Sequence, residues 1–321
     1  LTKYFYHLGI NPSITNPLVV FTAFDRTRKM FDLPQIETIT PIGKLCQPKT
    51  IEELCYDSAK NIVDKAGSKK IVMTWSGGID STLVLSELLK IAPHEQLVVM
   101  MNDNSIFEYP EYYNKYIKDK LETRYMDFNS SNQLRASLKD GIIVTGHLLD
   151  PVFGAGMYKV MPESRLSQKI PDFLNTLNNF SQENYTNLIN ACPRPLEDVK
   201  DLFWWMDYTL NYQAEQLMWL LEIEEMILDK NFFHFGSSSD WNDYAVSTPA
   251  EVKYPGYDFR TYKGVLKDHL YKFTGDKEYT KEKMKVPSWR AWRSTQHIVK
   301  EFAMYITTDW KRGWSIVKEL K

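Results

Sequence analysis

The sequence predicts an α/β fold: a parallel sheet with helices on both faces, followed by a mainly helical C-terminal region. Two observations carry this expectation. From residue 69 to about 150, short apolar runs alternate with segments of helical period, and strand-helix-strand alternation calls for right-handed crossovers and a sheet covered on both sides. After Pro162 the pattern turns mainly helical, and eight of the nine tryptophans lie beyond residue 200, enough bulky material to fill a core there.

Taken in order, residues 1–66 read as a β-rich N-terminal extension of unassigned role. Leu18–Phe24 is its clearest strand, and a helix is expected near Ile51–Lys65, opening after Pro48 and Thr50. Residues 67–162 form the α/β core. Ile71–Trp75 and Gln96–Met101 are apolar runs of strand length, and Ser81–Ile91 places Leu83, Val84, Leu85, Leu88 and Leu89 on helical spacing. Tyr112–Leu121 and Gln133–Leu138 read as helices, Arg124–Phe128 and Ile142–Thr145 as further strands. Residues 163–321 form a helical, substrate-side region packed on the core, with an amphipathic stretch at Ser164–Asn190 and an aromatic-rich one at Glu197–Leu228.

Composition narrows the function classes. With 43% hydrophobic and 25% charged residues the chain is globular, and 39 basic against 41 acidic residues exclude a polycation built to coat nucleic acid. The charge is unevenly spread: residues 253–321 carry 16 Lys/Arg against 8 Asp/Glu. Three cysteines (Cys46, Cys55, Cys192) without a CxxC pair support neither a disulfide framework nor a cysteine zinc site. The six histidines never form HExxH, and no apolar run reaches membrane-spanning length. A cytoplasmic protein, acting in the host cytoplasm if viral, is expected.

One segment carries specific chemistry. Ser76-Gly77-Gly78-Ile79-Asp80-Ser81 lies between the first core strand and the first core helix. Paired glycines allow a tight turn that presents backbone N–H groups, the hydroxyls add donors, and the helix N-terminus supplies positive potential, so the segment is suited to cradle phosphate. Asp80 would be repelled by bare phosphate, which implies a divalent cation between them, with Mg²⁺ the natural choice for oxygen ligands. The plain structural alternative is a Gly-Gly turn with Asp80 and Ser81 near a helix cap. No GxxxxGK[ST] occurs, so a different nucleotide chemistry from the Walker-type loop is implied.

Ser76–Ser81 resembles the PP-loop of the ATP pyrophosphatases, enzymes that cleave ATP between the α- and β-phosphates. A second segment, Gly146-His147-Leu148-Leu149-Asp150-Pro151-Val152-Phe153-Gly154-Ala155-Gly156, is similar to the asparagine-synthetase pattern of Gly, three residues, Asp, two residues, Phe-Gly-Gly. The resemblance spans about 69–290 and implies the adenine nucleotide alpha hydrolase-like fold. It implies cofactor-binding residues Ser76, Gly77, Gly78, Asp80, Ser81 and Gly146, with the adenine near Thr74 and Met101, and Mg²⁺ held by Asp80 and Asp150. His147 stands where asparagine-making members have an acidic residue, Leu148 and Leu149 replace small residues, and Ala155 replaces a glycine. An imidazole at 147 could take a proton from an attacking amine, or could be a hydrogen-bonded support for the loop.

Family synthetases also carry a lysine in a loop after the helical domain. Lys281–Ser288 resembles that loop, with Lys285 the best match and Lys283 the alternative, placed to stabilise charge at the α-phosphate. Phe232–Asp243 resembles a segment of synthetase-like proteins of bacteriophages. Only 68 residues precede the core strand and none of the early ones is a cysteine nucleophile, so glutamine hydrolysis is not expected.

The implied activity is an AMP-forming amide ligase: ATP adenylates a carboxylate, pyrophosphate leaves, and ammonia, a substrate amine or nitrogen supplied by a separate partner displaces AMP. Two rivals stand beside it. One is PP-loop modification of a nucleobase, for which the basic C-terminal region speaks and the lack of cysteine pairs speaks against. The other is a non-catalytic nucleotide-binding descendant, favoured if His147 and the two leucines close the acceptor pocket.

Overall fold

The structure, a computed structural model, describes residues 8–9, 20–21, 25–29, 40–126, 131–154, 163–177, 179–213, 216, 231–253, 255–256 and 261–282. Two short strands, β1 (Leu8–Gly9) and β2 (Val20–Phe21), pair antiparallel. The remaining strands are β3 (Lys70–Thr74), β4 (Leu97–Met101), β5 (Glu122–Tyr125), β6 (Gly141–Thr145) and β7 (Phe232–His234). The helices that matter below are α1 (Ile51–Ala66), α2 (Ile79–Ile91), α3 (Asp103–Glu108), α4 (Ser131–Asp140), α5 (Leu149–Phe153), α6 (Asn179–Asn190), α7 (Val199–Met206), α8 (Ser239–Ser247) and α9 (Gly264–Thr274).

The five core strands form one all-parallel sheet in the order β5-β4-β3-β6-β7. β3, β4 and β5 step outward in one direction, then the chain returns to lay β6 on the other side of β3. The carboxyl ends of β3 and β6 therefore flank the topological switch point, the crevice where open α/β sheets bind ligands. Ile71, Leu97 and Ile142 share register, as do Met73, Val99 and Val144, and all six are buried on the face covered by α1, α2 and α9. Val72, Val98, Met100 and Ile143 are buried on the opposite face, where the Ser137 hydroxyl of α4 donates to Met100 Sδ at 3.6 Å. The expectation of an α/β fold with helices on both faces, followed by a helical C-terminal region, is borne out.

Local sequence explains the elements that position the site. α1 begins with a capping box: the Thr50 hydroxyl accepts from the Glu53 N–H at 3.2 Å, and the Glu53 carboxylate accepts from the Thr50 N–H at 2.8 Å. It packs on α2 and α9, so the chain before residue 67 contributes to the core. Tyr112–Leu121 continues as a π-turn over Tyr113–Ile117 and then leaves the helix, with Asp119 at φ 59°. Within the aromatic-rich stretch the described residues form α7 and a π-turn at Asp207–Asn211, burying Phe203, Trp204, Trp205 and Tyr208, while residues 214–215 and 217–228 lie outside the described residues. The Trp204 and Trp205 indoles donate to Val152 O (3.0 Å) and Leu188 O (2.8 Å), which couples α7 to α5 and α6.

Arg26 ties the N-terminal part to this helical layer. Its guanidinium is 6% exposed, donates to Thr40 O, Tyr208 O, Pro41 O and Asn242 Oδ1, and lies 4.6 and 4.2 Å from the ring centres of Tyr208 and Tyr212.

The sequence pattern did not foresee β7. Phe232–His234 is only three residues long, too short to show a period, and the region after Pro162 reads as helical. Instead this late segment completes the sheet beside β6, with Ile143 N–H donating to Asn231 O at 2.7 Å.

His234 ends β7 with neither ring nitrogen in a well-formed hydrogen bond among the described residues. Burial, aided by the nearby His147, pushes its pKa down to about 3, and the opposing Gln216 backbone is outweighed. The unfolded chain therefore binds a proton below about pH 6.5 that the native state refuses, so stability is complete above that pH and falls as pH drops toward 3. Going from about pH 7.5 to about pH 5 should remove about 2 kcal/mol through this group. Urea unfolding at the two pH values, with the His234→Leu protein losing most of this part of the slope, checks the assignment.

Candidate functional site

The turn after β3 is fixed from both sides. Trp75 N–H donates to Met100 O (2.8 Å) and its indole donates to Thr82 Oγ1 (3.0 Å) at the start of α2. Gly77 adopts φ 73°, and a Cβ there would overlap the Ser105 carbonyl of α3 and press on Glu108, so only glycine fits. The Ser76 N–H donates to Ser81 Oγ (3.1 Å) and the Gly78 N–H to Ser76 Oγ (3.3 Å), which holds the loop in shape. Gly78 is the N-cap of α2 and no side chain caps it. The N-terminus of a thirteen-residue helix thus presents its dipole and backbone donors to the crevice.

The turn after β6 approaches this loop closely. A Cβ on Gly146 would lie 2.9 Å from the Asp80 carbonyl carbon, so the glycine is required for backbone-to-backbone packing of the two turns. Leu149 N–H donates to Gly146 O, Asp150 N–H to His147 O, and α5 begins. His147 is partly exposed at the crevice, its N–H donating to Thr145 Oγ1 at 3.2 Å. Leu148 and Leu149 are fully buried, facing Gly236, where a Cβ would sit 3.1 Å from Leu149 Cδ2. These two leucines are core, and Gly236 leaves room for them. Gly154 adopts φ 71° against Trp204 Cβ, and Phe153 packs on Trp241 and Tyr244.

These constraints bring the Asp80 and Asp150 carboxylates to one point, where they share a cation. Lys263 Nζ lies 2.5 Å from both Asp80 oxygens and 2.5 Å from Asp150 Oδ1. The Tyr262 hydroxyl donates to Asp150 Oδ1 at 2.8 Å. Burial works against the charge of Lys263, but Asp150 and Asp80 outweigh it and hold its pKa above the ordinary value. Burial and the same two carboxylates push the Tyr262 hydroxyl well up, so it remains a donor. Both carboxylates thus face the same ammonium. From the C-terminal side, the Tyr279 hydroxyl donates to Gly77 O while its ring stacks on Tyr109 at 3.4 Å.

Of the residues singled out in the sequence, Ser76, Gly77, Gly78, Asp80, Ser81, Gly146, His147 and Asp150 gather at the switch point. Thr74 and Met101 end the adjacent strands β3 and β4, both nearly buried, and the Thr74 hydroxyl donates to Val144 O at 3.3 Å. Lys283, Lys285, Ala155 and Gly156 lie outside the described residues. Lys263, Tyr262 and Tyr279 were missed. Nothing local to Lys263 marks it in the sequence: it is the N-cap of α9 at φ 54°, and only the packing of that helix brings its ammonium to the two acids.

The donor set fits a hard divalent cation. Among the described residues no group of three or more His, Cys, Asp or Glu makes a self-sufficient metal cage, and Mg²⁺ is commonly held by one or two carboxylates together with substrate phosphates. No helix among the described residues is long and apolar enough to cross a membrane. The protein is an α/β protein of Rossmann-like architecture with a helical C-terminal region. No family model matches the chain, and no curated protein matches it.

Proposed function

We propose that the chain is an ATP-dependent, AMP-forming amide ligase of the ATP pyrophosphatase type, asparagine synthetase-like, with ATP and Mg²⁺ as cofactors. The observation that carries this reading is the convergence of Asp80 and Asp150, from the two turns flanking the switch point, on one cation beside an uncapped helix N-terminus. The carboxylates would hold Mg²⁺, which neutralises the departing pyrophosphate. The loop N–H groups and the α2 dipole bind the β- and γ-phosphates, and the glycines keep the backbone within reach. The substrate carboxylate oxygen attacks the α-phosphorus and the Pα–O bond to the β-phosphate breaks. An amine lone pair then attacks the acyl carbon, AMP leaves, and the nitrogen's proton passes to a base, for which His147 is placed at the crevice. The cation facing the α-phosphate remains Lys285, with Lys283 the alternative, and Lys263 is a further cation beside the two acids. Most acceleration comes from positioning and charge neutralisation.

The burial of Leu148 and Leu149 in the core supports a catalytic protein over a non-catalytic descendant, since they do not fill the crevice. The test is pyrophosphate release from Mg·ATP over a panel of amino acids with ammonia. AMP and pyrophosphate in equal amounts are expected, and ADP in their place would overturn the reading.

A further inference from the structure

We propose that Lys263 is a resident counter-ion that keeps free divalent metal out of the Asp80–Asp150 pair, so that metal enters only together with a nucleotide, whose phosphates draw the ammonium away. The proposal rests on the nucleotide-binding reading of the same site and adds an order of binding to it.

The geometry leaves room for one cation. Three carboxylate oxygens lie 2.5 Å from Nζ, and Mg²⁺ or a similar ion would need those oxygens at about 2.1 Å. A metal and an ammonium cannot share that point. The Asp80 and Asp150 side chains are 17% and 23% exposed and Lys263 2%, so the exchange takes place largely away from bulk water, where unpaired charge is costly. A bare metal ion entering the site would eject the ammonium with no new partner for it. A metal-bound polyphosphate brings that partner, because the α2 N-terminus and Ser76–Ser81 place phosphate beside the two acids.

The backbone is set for this release. Lys263 holds φ 54°, ψ 32°, a left-handed conformation that a non-glycine residue adopts at a cost, and it does so at a helix N-cap, where its charge opposes the dipole. The two carboxylates favour that placement. Tyr262, the preceding residue, keeps its hydroxyl on Asp150, so one acid retains a ligand-orienting contact as the ammonium moves.

The probe is Mn²⁺, followed by the water-proton relaxation enhancement of protein-bound Mn²⁺ over Mn²⁺ free or held by the analogue alone, with and without α,β-methylene-ATP, which cannot be split at the bond in question. Wild-type protein should bind Mn²⁺ weakly alone and about tenfold or more tighter with the analogue. Lys263→Met should bind Mn²⁺ alone at least about tenfold tighter than wild type, and its melting temperature should rise on adding Mn²⁺. Lys263→Arg, which keeps the positive charge, should still exclude the free ion. Measurable Mn²⁺ binding of equal strength by wild type with and without the analogue, or by wild type and Lys263→Met without it, overturns the exclusion and leaves the nucleotide reading standing. Failure of wild type to bind Mn²⁺ even with the analogue overturns both. The wild-type comparison decides the matter even if the methionine variant does not fold.

Discussion

The Asp80→Asn protein is expected to lose pyrophosphate release by about 1,000-fold or more while keeping its fold. Asparagine preserves the shape and one acceptor oxygen but removes the charge that a magnesium-bound diphosphate needs. It also changes the arithmetic of the site. With Asp80 ionised, two acids face one ammonium. With asparagine, one of the two carboxylates that face Lys263 loses its charge, and the pull on a divalent ion weakens with it. Because Lys263 keeps the Asp150 carboxylate as its partner, unfolding free energy should change by less than about 1 kcal/mol. Steady-state release of pyrophosphate beside a urea titration separates the two effects. Activity within a few-fold of wild type would show that Asp80 does not hold the leaving group's metal.

The largest stability effect belongs to Arg26. Its guanidinium satisfies three backbone carbonyls and the Asn242 amide oxygen, drawn from three separate stretches of the chain, and lies close to the rings of Tyr208 and Tyr212. Arg26→Met keeps much of the apolar volume and strands those acceptors in a dry interior. A loss of about 3–5 kcal/mol is expected. Arg26→Lys should recover little, since one ammonium cannot reach acceptors spread around a planar fork. Denaturant midpoints measure both. A methionine variant within about 1 kcal/mol of wild type would mean that the N-terminal segment is not anchored here.

The sheet was legible because β3, β4 and β6 are buried on both faces and so appear as continuous apolar runs bounded by turns. The PP-loop-like hexapeptide was legible because the glycine demanded by φ 73° at position 77 and the acid at position 80 lie within one short segment. β7 was not, for it owes its existence to pairing with β6 rather than to any pattern of its own. Lys263 was not either. Its position depends on α9 docking against α2, which brings residues far apart in sequence to one oxygen-lined point. Tyr279 is hidden for the same reason: nothing local to it signals that its hydroxyl will reach the carbonyl of Gly77.

The placement of β7 also bears on how the chain is made. While it emerges from the ribosome, the outer edge of β6, with the apolar Ile142-Ile143-Val144 at its centre, has no strand beside it until Phe232–His234 has been synthesised. Through that interval the nascent protein carries an open, sticky border of the kind that pairs with other chains or recruits chaperones. Translation products ending before residue 231 should aggregate, and those reaching past α9 should stay dispersed.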